Sequence, residues 1–378
     1  MRILIVSAIL EPDAGGPATY VPRLARKLVE RGWEVSVITY SDKPSYDFDR
    51  EYPFHVVRIV RKGTILNAVR MFFKLLMEAR RFDLIFSFDW YGVGLPLSVA
   101  ALLTRTPYMV RVGGDYAWDQ KYIESSAEPL PMRVFYERGL HLSHGYKTIF
   151  HIVRFVLSQA KHVVFNTDIE RELYLRYYGL SGTDVSTIYN PVPNVPEGIR
   201  REAANNEIVF IGRFVGMKNI DVLLRAFARA KLPADFRLIL IGDGPRKPEI
   251  ERRILELGIA ALTDLLPPMR QKEMFERIRN CRALVLPSWT DISPNNVYEA
   301  LALKLPTIVT KEYYLSIHDQ LPEMIDPFSE EDVTAKLEML ADPERYARFS
   351  EAFNSIRFEH SWDDAVRQYE EVFSNVLQ

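Results

Sequence analysis

The sequence predicts an α/β protein made of two Rossmann-like domains in tandem. Short apolar runs alternate with helical patterns along most of the chain, which is typical of parallel strands joined by helices. This alternation stops at a proline-rich stretch near the middle of the chain and then starts again. A chain of 378 residues is also too long for one ordinary hydrophobic core, so two domains are expected.

The first half of the chain has a strand, loop and helix pattern that repeats. Residues 3–6 form a continuous apolar run, as expected for a parallel strand buried on both faces. The helix after the next loop carries Tyr20, Leu24 and Leu28 on one face and ends near Gly32. Further strands are predicted at residues 35–39, 55–60, 84–88, 108–112, 163–166 and 185–189.

The domain boundary is predicted at residues 190–196, because three prolines in that stretch cannot lie inside a helix or a central strand. The same pattern then restarts, with strands at 208–212, 237–242, 283–287 and 307–310. We therefore expect one domain over 1–190, a second over 191–361, and a final helix over 362–378 that packs back on the first. Ligands of such sheets bind at the carboxyl ends of the strands, so two facing sheets predict a site in the cleft between the domains.

Composition excludes several classes of protein. The net charge of −2 does not suit a nucleic-acid binder. The single cysteine, Cys281, excludes an internal disulfide and favours a reducing cytoplasm. No window is long and apolar enough for a membrane span, and the N-terminal apolar run is too short for a secretory signal. Residues 1–190 carry 24 basic and 20 acidic side chains, an excess that suits either ordinary scatter or an anionic acceptor or membrane surface.

The strongest local signal is the segment Gly212-Arg-Phe-Val-Gly-Met-Lys218, at the end of a strand and the start of a helix. Arg213 supplies a guanidinium fork, Lys218 a point charge, and the helix N-terminus free amides. Together these groups suit a diphosphate. The alternative is a pair of solvated surface cations.

The second signal is the segment over residues 286–302. Ser293 followed by Pro294 is a good helix start, with serine as N-cap and proline at the first helical position. Glu299 lies in the second turn of this apolar helix, where a carboxylate must be paired or must accept hydroxyls of a ligand such as ribose. Asp291 precedes it by eight residues, in the loop.

These segments resemble the retaining glycosyltransferases of the GT-B fold, family 4 (group 1). That family has a Gly-Arg…Lys loop that opens its second domain and two carboxylates separated by seven residues. The resemblance extends over essentially the whole chain, through Gly15-Gly16, Ile241-Gly-Asp-Gly-Pro245, the boundary at 188–192 and the final region 353–377. It implies a transfer of sugar from a nucleotide-diphosphate sugar, UDP- or GDP-linked, to a glycan, lipid-linked or small-molecule acceptor.

The resemblance also implies roles for individual residues. Two cations hold the diphosphate, a glutamate binds the ribose, a glycine allows close approach to the phosphates, and the loop at 292–296 supplies amides to the diphosphate and the donor sugar. These donor-binding residues are Gly16, Arg213, Lys218, Ser293, Asn295, Asn296 and Glu299. The family needs neither a metal ion nor a separate cofactor, and it retains the anomeric configuration by attack of the acceptor from the leaving-group side.

This sequence departs from the family pattern at two places. The first carboxylate of the pair is usually glutamate, whereas here it is Asp291, and the loop that follows lacks the usual glycine. The family often has a histidine after the strand at 108–112, whereas this chain has Gly113, with Asp115 as the nearest polar substitute. Asp291 and Asp115 are therefore the predicted catalytic residues.

The acceptor candidates follow strands of the first domain. Asp89 and Trp90 lie at the carboxyl end of the strand at 84–88, where they either contact an acceptor sugar or form an ordinary loop. Tyr116 and Trp118 either stack on sugar rings or belong to the core. The basic amphipathic stretch at 67–77 suits either core packing or peripheral contact with a membrane.

Other functions remain as alternatives. Asp47 and Asp49 form a DXD pair of the kind that binds Mg²⁺, although chance explains it better in a polar loop. A nicotinamide oxidoreductase would need a Gly-x-Gly-x-x-Gly turn after the first strand, which residues 8–18 lack. An epimerase or phosphorylase shares the fold. A catalytically degenerate GT-B protein that binds a nucleotide or glycan without turnover is the main alternative.

Overall fold

The computed structural model describes residues 1–13, 15–126, 129–180, 182–292, 295–315 and 317–378, and the backbone alone for Gln120. The chain divides into two compact units. The first unit comprises Met1–Ala117, Gly139–Asn190 and His360–Gln378, and the second unit comprises Trp118–Arg138 and Pro191–Glu359. Each unit contains a parallel sheet and helices, which confirms the predicted class of two Rossmann-like α/β domains.

The sheet of the first unit has the strand order β3-β2-β1-β4-β5-β6-β7 in the described part of the chain. All its pairings are parallel. Every strand predicted in this half is present, with small shifts at the ends. The strands are β1 (Arg2–Ser7), β2 (Glu34–Ser41), β3 (His55–Val60), β4 (Leu84–Ser87), β5 (Tyr108–Val112), β6 (His162–Phe165) and β7 (Asp184–Thr187).

The second unit contains a sheet with the order β10-β9-β8-β11-β12-β13, again parallel. Its inner strands are apolar runs buried on both faces, as the continuous hydrophobic pattern predicts. The strands are β8 (Glu207–Ile211), β9 (Arg237–Ile241), β10 (Thr263–Leu266), β11 (Ala283–Leu286), β12 (Thr307–Thr310) and β13 (Met324–Ile325).

Helices connect the strands in both units. Among the described residues, none is both long and apolar enough to cross a bilayer. The helices are α1 (Gly16–Glu30), α2 (Thr64–Glu78), α3 (Gly94–Thr104), α4 (Met132–Glu137), α5 (Lys147–Gln159), α6 (Asp168–Tyr178), α7 (Ile220–Arg229), α8 (Lys247–Glu256), α9 (Gln271–Ile278), α10 (Asn295–Leu303), α11 (Glu330–Ala341), α12 (Pro343–Asn354) and α13 (Trp362–Leu377).

The final helix, α13, belongs to the core of the first unit. Ser361 caps its N-terminus, and Asp364 accepts a hydrogen bond from the Ser361 backbone, which completes a capping box. Tyr369 and Phe373 are fully buried and pack against Phe86 of β4. Burial of these large rings is the main stabilising contribution of this helix.

Residues 118–138 pack within the second unit, although the expected first domain spans 1–190. Met132 donates its backbone N–H to Thr290 Oγ1 at 3.0 Å, and Phe135 and Tyr136 are fully buried. The apolar pattern of the sequence indicates that these side chains are buried, but it does not indicate which of the two sheets they pack against. Residues 360 and 361, expected at the end of the second domain, lie in the first unit with α13.

The linker at the predicted boundary is anchored to the first unit. Asn190 Oδ1 accepts a hydrogen bond of 2.7 Å from Arg111 Nη2, and both residues are buried. The Arg111 guanidinium also lies 4.2 Å from the centre of the Tyr20 ring. The amide oxygen and the aromatic ring compensate the charge of the buried arginine. Asn190, the last residue before the linker, is therefore held in a defined position.

Candidate active site

Two loops of the second unit approach each other at the carboxyl ends of β8 and β9. Phe214 donates its N–H to Asp243 O at 2.8 Å, and Arg246 donates its N–H to Phe214 O at 3.0 Å. A Cβ at Gly242 would lie 1.9 Å from Gly212 O, and one at Gly244 would lie 2.6 Å from Phe214 O. Only glycine allows this close approach, which explains the Gly-Asp-Gly motif.

The two predicted phosphate-binding cations of this loop have different environments. Arg213 is exposed, and within the described part of the chain its guanidinium makes no ion pair. Lys218 is largely buried, and its Nζ lies 2.8 Å from Asp291 Oδ1. The sequence predicted separate roles for Lys218 and Asp291, in donor phosphate binding and in catalysis, and the structure pairs them.

Asp291 is held on several sides. Its side chain is 4% exposed, and its Oδ2 accepts a hydrogen bond of 2.8 Å from Ser288 Oγ. Its backbone N–H donates to Glu312 O, and its carbonyl accepts from Tyr314 N–H, each at 2.9 Å. The loop after β11 therefore presents this carboxylate in a fixed position. Ser288 is a neighbour that the sequence analysis did not identify.

Glu299, the carboxylate predicted to bind the ribose, lies half-buried on α10. Its Oε1 accepts a hydrogen bond of 2.8 Å from Nε2 of Gln271. Gln271 is the first residue of α9 and directly follows the loop at 267–270. The structure thus joins the carboxylate to that loop through a side chain that the sequence analysis missed.

The start of α10 is tied to the end of β8. Asn296 Nδ2 donates to Ile211 O at 2.6 Å, while its Oδ1 is buried and has no hydrogen-bond partner among the described residues. Asn295 is exposed on the same turn. The predicted donor-binding residue Ser293 lies outside the described residues. The described part of this turn brings Asn296 to the same strand end as Gly212.

Glu124, from the segment 118–138, contacts the phosphate-binding loop within the second unit. Its Oε1 accepts a hydrogen bond of 2.9 Å from the backbone N–H of Gly216, and its Oε2 lies 3.3 Å from Arg246 Nη2. A Cβ at Gly216 would lie 3.1 Å from Glu124 Oε1. A carboxylate thus accepts the hydrogen bond of a backbone amide in the loop that was predicted to bind the diphosphate. The sequence could not predict this contact, because Glu124 and Gly216 lie 92 residues apart.

In the first unit, the loop after β5 has no room for the family's histidine. A Cβ at Gly113 would lie 2.0 Å from Nδ2 of Asn166, which follows β6. Asn166 is buried and fills the space in front of Gly113. With Asn166 in this position, residue 113 must be a residue without a Cβ, namely glycine.

Asp115 lies beside this loop in a buried polar cluster. It is 3% exposed, and its Oδ2 accepts a hydrogen bond of 2.9 Å from the hydroxyl of Tyr174. Glu170 is fully buried and accepts a hydrogen bond of 2.9 Å from Gly114 N–H. Burial raises the pKa of Glu170 to about 8. The cluster therefore contains a carboxyl group that titrates near neutral pH.

The predicted acceptor residues take different positions. Asp89 forms a turn after β4, because its Oδ1 accepts the N–H groups of Tyr91 and Val93 at 2.9 and 3.1 Å. Trp90 is half-buried. The Tyr116 ring stacks on Tyr91 with a centroid distance of 3.9 Å.

Trp118 requires a correction. Its indole is fully buried in the second unit, and its Nε1 donates to Leu130 O at 2.8 Å. Trp118 was predicted either to stack on a sugar ring or to belong to the core, and the structure shows that it belongs to the core. The reason is the path of the segment 118–138, whose rings fill the interior of the second unit.

Gly16 is the first residue of α1, at the carboxyl end of β1. A Cβ at Gly16 would meet nothing within 4 Å, whereas one at Gly15 would lie 2.6 Å from Ile9 Cδ1. Gly15 has a positive φ of 150°, which favours glycine at that position, and among the described residues nothing fills the space beside position 16. That space suits a close approach by a ligand.

The acidic pair at 47 and 49 has a structural partner. Asp49 accepts hydrogen bonds from Arg58 Nη2 at 2.7 Å and from Arg58 Nε at 2.8 and 3.1 Å. Among the residues that the structure describes, no group of three or more acidic, histidine or cysteine side chains could hold a metal ion.

The sequence and the fold match known families. Residues 14–194 match the family described as Glycosyltransferase Family 4, and residues 194–353 match the family described as Glycosyl transferases group 1. The chain is 25% identical over 350 residues to the D-inositol 3-phosphate glycosyltransferase of Thermobifida fusca (strain YX), an alignment that covers 79% of this chain and 73% of that protein.

Solved structures share the fold over nearly the whole chain. The Anabaena protein HepE in complex with UDP-glucose has a TM-score of 0.76 at 16% identity, and the match covers 99% of this chain and 100% of that one. Sucrose-phosphate synthase from Thermosynechococcus elongatus has a TM-score of 0.73 at 17% identity, with 99% and 98% covered. The two family models match consecutive parts of the chain and together span residues 14–353. The chain therefore belongs to the glycosyltransferases of the GT-B fold, with a family 4 first domain and a group 1 second domain.

Proposed function

We propose that the chain transfers a sugar from a UDP- or GDP-linked donor to an acceptor, with retention of anomeric configuration and without a metal ion. The observation that carries this proposal is the ion pair between Lys218, on the loop after β8, and Asp291, on the loop after β11. The loop after β8 also presents Arg213, an exposed cation without an ion-pair partner among the described residues. These groups stand at the carboxyl ends of β8 and β11, where ligands of parallel sheets bind.

The donor diphosphate would take two charges from this loop. Arg213 has no competing partner among the described residues, so its guanidinium can bind two phosphate oxygens. Lys218 would exchange part of its contact with Asp291 for a phosphate oxygen. The Asp291 oxygen that Lys218 releases would then be available to the donor sugar, where charge develops at the anomeric carbon.

Glu299 would bind the ribose hydroxyls, held in orientation by Gln271. Asn295 and Asn296, together with Ser293, would supply polar contacts to the diphosphate and the sugar at the start of α10. We propose UDP as the first nucleotide to test, because a protein with the same fold is known in complex with UDP-glucose.

The first unit would bind the acceptor. Asp89 and Trp90, which follow β4, and Tyr116, which follows β5, would contact the acceptor. Gly16, at the start of α1, would instead let the first loop of this unit approach the donor phosphates. Asp115 would act on the acceptor side of the reaction through its hydrogen-bonded cluster. The acceptor class that we propose is a glycan or a lipid-linked sugar. The protein would then act in the cytoplasm, with peripheral contact to a membrane through the first unit.

Titration calorimetry with UDP, GDP and ADP tests the donor part of the proposal. We expect one of these nucleotides to bind, and Arg213→Ala to weaken its binding. Arg252→Ala is the matched control, because Arg252 is an exposed arginine of α8 whose side chain is 71% exposed. Equal affinities of both variants and the unmodified protein would contradict the assigned loop.

Transfer to an added acceptor tests the chemistry. We expect nucleotide release and product formation to continue in excess EDTA, because cations and helix N-termini neutralise the leaving group. Proton NMR of the product should show the anomeric configuration of the donor. Loss of turnover in EDTA with recovery in Mg²⁺ would contradict metal independence, and an inverted product would contradict retention.

A further inference from the structure

A broad apolar surface lies on neighbouring helices of the first unit. Helix α2 packs against α3, and α3 also packs against α5. The row Val69, Phe73 and Met77 runs along α2 at intervals of four residues, and Phe73 and Met77 are 56% and 65% exposed. Residues four apart lie on one face of a helix. The solvent-facing row of α2 is therefore apolar.

Helix α3 extends this surface. Within Gly94–Thr104 every exposed position is a leucine or a valine, and the helix has no charged side chain. Leu102 and Leu103 are 51% and 58% exposed. A surface helix of a globular protein normally carries polar residues on its outer face. Contiguous apolar patches of this kind mark interaction sites.

The charges around this surface are almost all positive. The segments 64–81, 94–105 and 147–161, which contain α2, α3 and α5, hold eight lysines or arginines and one acidic residue, Glu78. Glu78 is already paired with Lys74 and Arg81, at 3.0 and 2.8 Å. The exposed cations among them include Arg105 directly after α3, Arg154 on α5, and Lys161 just after α5.

We propose that this surface, formed by the outer faces of α2, α3 and α5, binds an anionic lipid bilayer. The apolar row would enter the boundary between headgroups and acyl chains, and the cations would contact lipid phosphates. Charge favours this occupant over a second copy of the chain. A symmetric dimer through this surface would place two strongly basic faces against each other.

The position of the surface relates it to the acceptor. Helix α3 begins at Gly94, directly after the turn that Asp89 forms at the carboxyl end of β4. Leu95, in the first turn of α3, is 40% exposed. Docking on a bilayer would bring this turn to the lipid surface. Only this last step rests on the proposed function, since binding of the bilayer itself needs neither donor nor acceptor.

Flotation with lipid vesicles tests the proposal. We expect the protein to bind vesicles of phosphatidylcholine mixed with phosphatidylglycerol, to bind pure phosphatidylcholine far less, and to dissociate as salt is raised. The double variant Phe73→Ser with Leu102→Ser, and separately Arg154→Glu with Lys161→Glu, should each reduce binding by about tenfold or more. Leu255→Ser and Arg252→Glu are matched controls on α8, where Leu255 is 71% exposed.

Each result decides between occupants. Equal binding of all variants, or no binding of the unmodified protein to anionic vesicles, would overturn the proposal. Concentration-dependent dimers that the Phe73→Ser with Leu102→Ser variant abolishes would assign the surface to a second copy. Circular dichroism and nucleotide affinity, measured without lipid, should be unchanged in the surface variants. If the unmodified protein binds anionic vesicles but binds no nucleotide, the result would count against the proposed function and leave the membrane surface in place.

Discussion

The ammonium group of Lys218 lies 2.8 Å from Oδ1 of Asp291, and the two side chains are 13% and 4% exposed. Ser288 donates a hydrogen bond to the other oxygen of the same carboxylate. Two groups assigned to different tasks, phosphate binding and sugar orientation, are thus joined in one buried pair. Arrival of a diphosphate would change the partner of Lys218, and through it the surroundings of Asp291.

Replacement of Lys218 should destabilise the protein, whereas replacement of Arg213 should not. Lys218→Ala leaves the Asp291 carboxylate buried without its cation, at a cost of about 3–5 kcal/mol in the free energy of unfolding. Arg213 is exposed and unpaired among the described residues, so Arg213→Ala should change stability by less than about 0.5 kcal/mol. Urea unfolding of both variants measures this. Equal stabilities would show that the pair does not exist in solution.

Both cations should matter for the nucleotide. We expect Arg213→Ala to weaken binding of the nucleoside diphosphate by about 1.5–3 kcal/mol, the range for a lost hydrogen bond to a charged group. Lys218→Ala should weaken nucleotide binding less. Lys218 must give up part of its contact with Asp291 to contact the diphosphate, so its net contribution to binding is smaller than that of Arg213. Titration calorimetry gives both values. A larger loss in Lys218→Ala than in Arg213→Ala would reverse this ranking.

Removal of the Glu124 carboxylate should strengthen nucleotide binding. Its Oε1 accepts the N–H of Gly216 on the phosphate-binding loop, and a negative charge at that amide repels a diphosphate. Glu124→Gln keeps the hydrogen bond and removes the charge, so we expect the Kd to fall by about threefold, which is less than 1 kcal/mol. The effect should shrink at high salt. An increased Kd would show that Glu124 orders the loop for the ligand.

The two carboxylates of the second unit should affect different kinetic constants. Glu299→Gln should mainly raise the donor KM, because ribose is held equally before and during the reaction. Asp291→Ala should lower kcat more than it raises KM, since orientation of the sugar matters most when charge develops. Asp291→Glu introduces the residue that the family usually has and should keep some activity. Full kcat in Asp291→Ala would remove the catalytic role proposed for this residue.

The buried Glu170 should make stability fall as the pH rises. Burial raises its pKa from 4.5 to about 8, so the native state binds the proton more tightly than the unfolded state does. The cost of deprotonation therefore begins above about pH 4.5 and is complete near pH 8. Glu170→Gln should unfold at a higher temperature than the unmodified protein at about pH 9, with little difference at about pH 5. A difference independent of pH would show that Glu170 is not titrating in this range.

Much of the fold follows from local sequence. The apolar runs at 3–6, 84–88 and 283–287 each became a buried strand, because a parallel strand covered on both faces must be apolar throughout. The prolines after Asn190 mark the change of unit, because proline excludes regular structure at that point. These features depend on neighbours in sequence, and residue order alone is enough to predict them.

The sequence by itself predicted the fold class, because alternating strands and helices leave a periodic pattern of apolar residues. It also singled out the loop with Arg213 and Lys218, which we propose binds phosphate, and the carboxylate Glu299, because each lies in a short motif. Only the tertiary structure decided which groups meet. The pairing of Lys218 with Asp291, of Glu299 with Gln271 and of Glu124 with Gly216 joins residues that lie 28 to 92 positions apart. It also placed Trp118 in a core rather than at a sugar. Such contacts depend on how the chain crosses between strands and on which sheet a connecting segment covers. Local periodicity predicts neither, because it reflects only residues that are close in sequence.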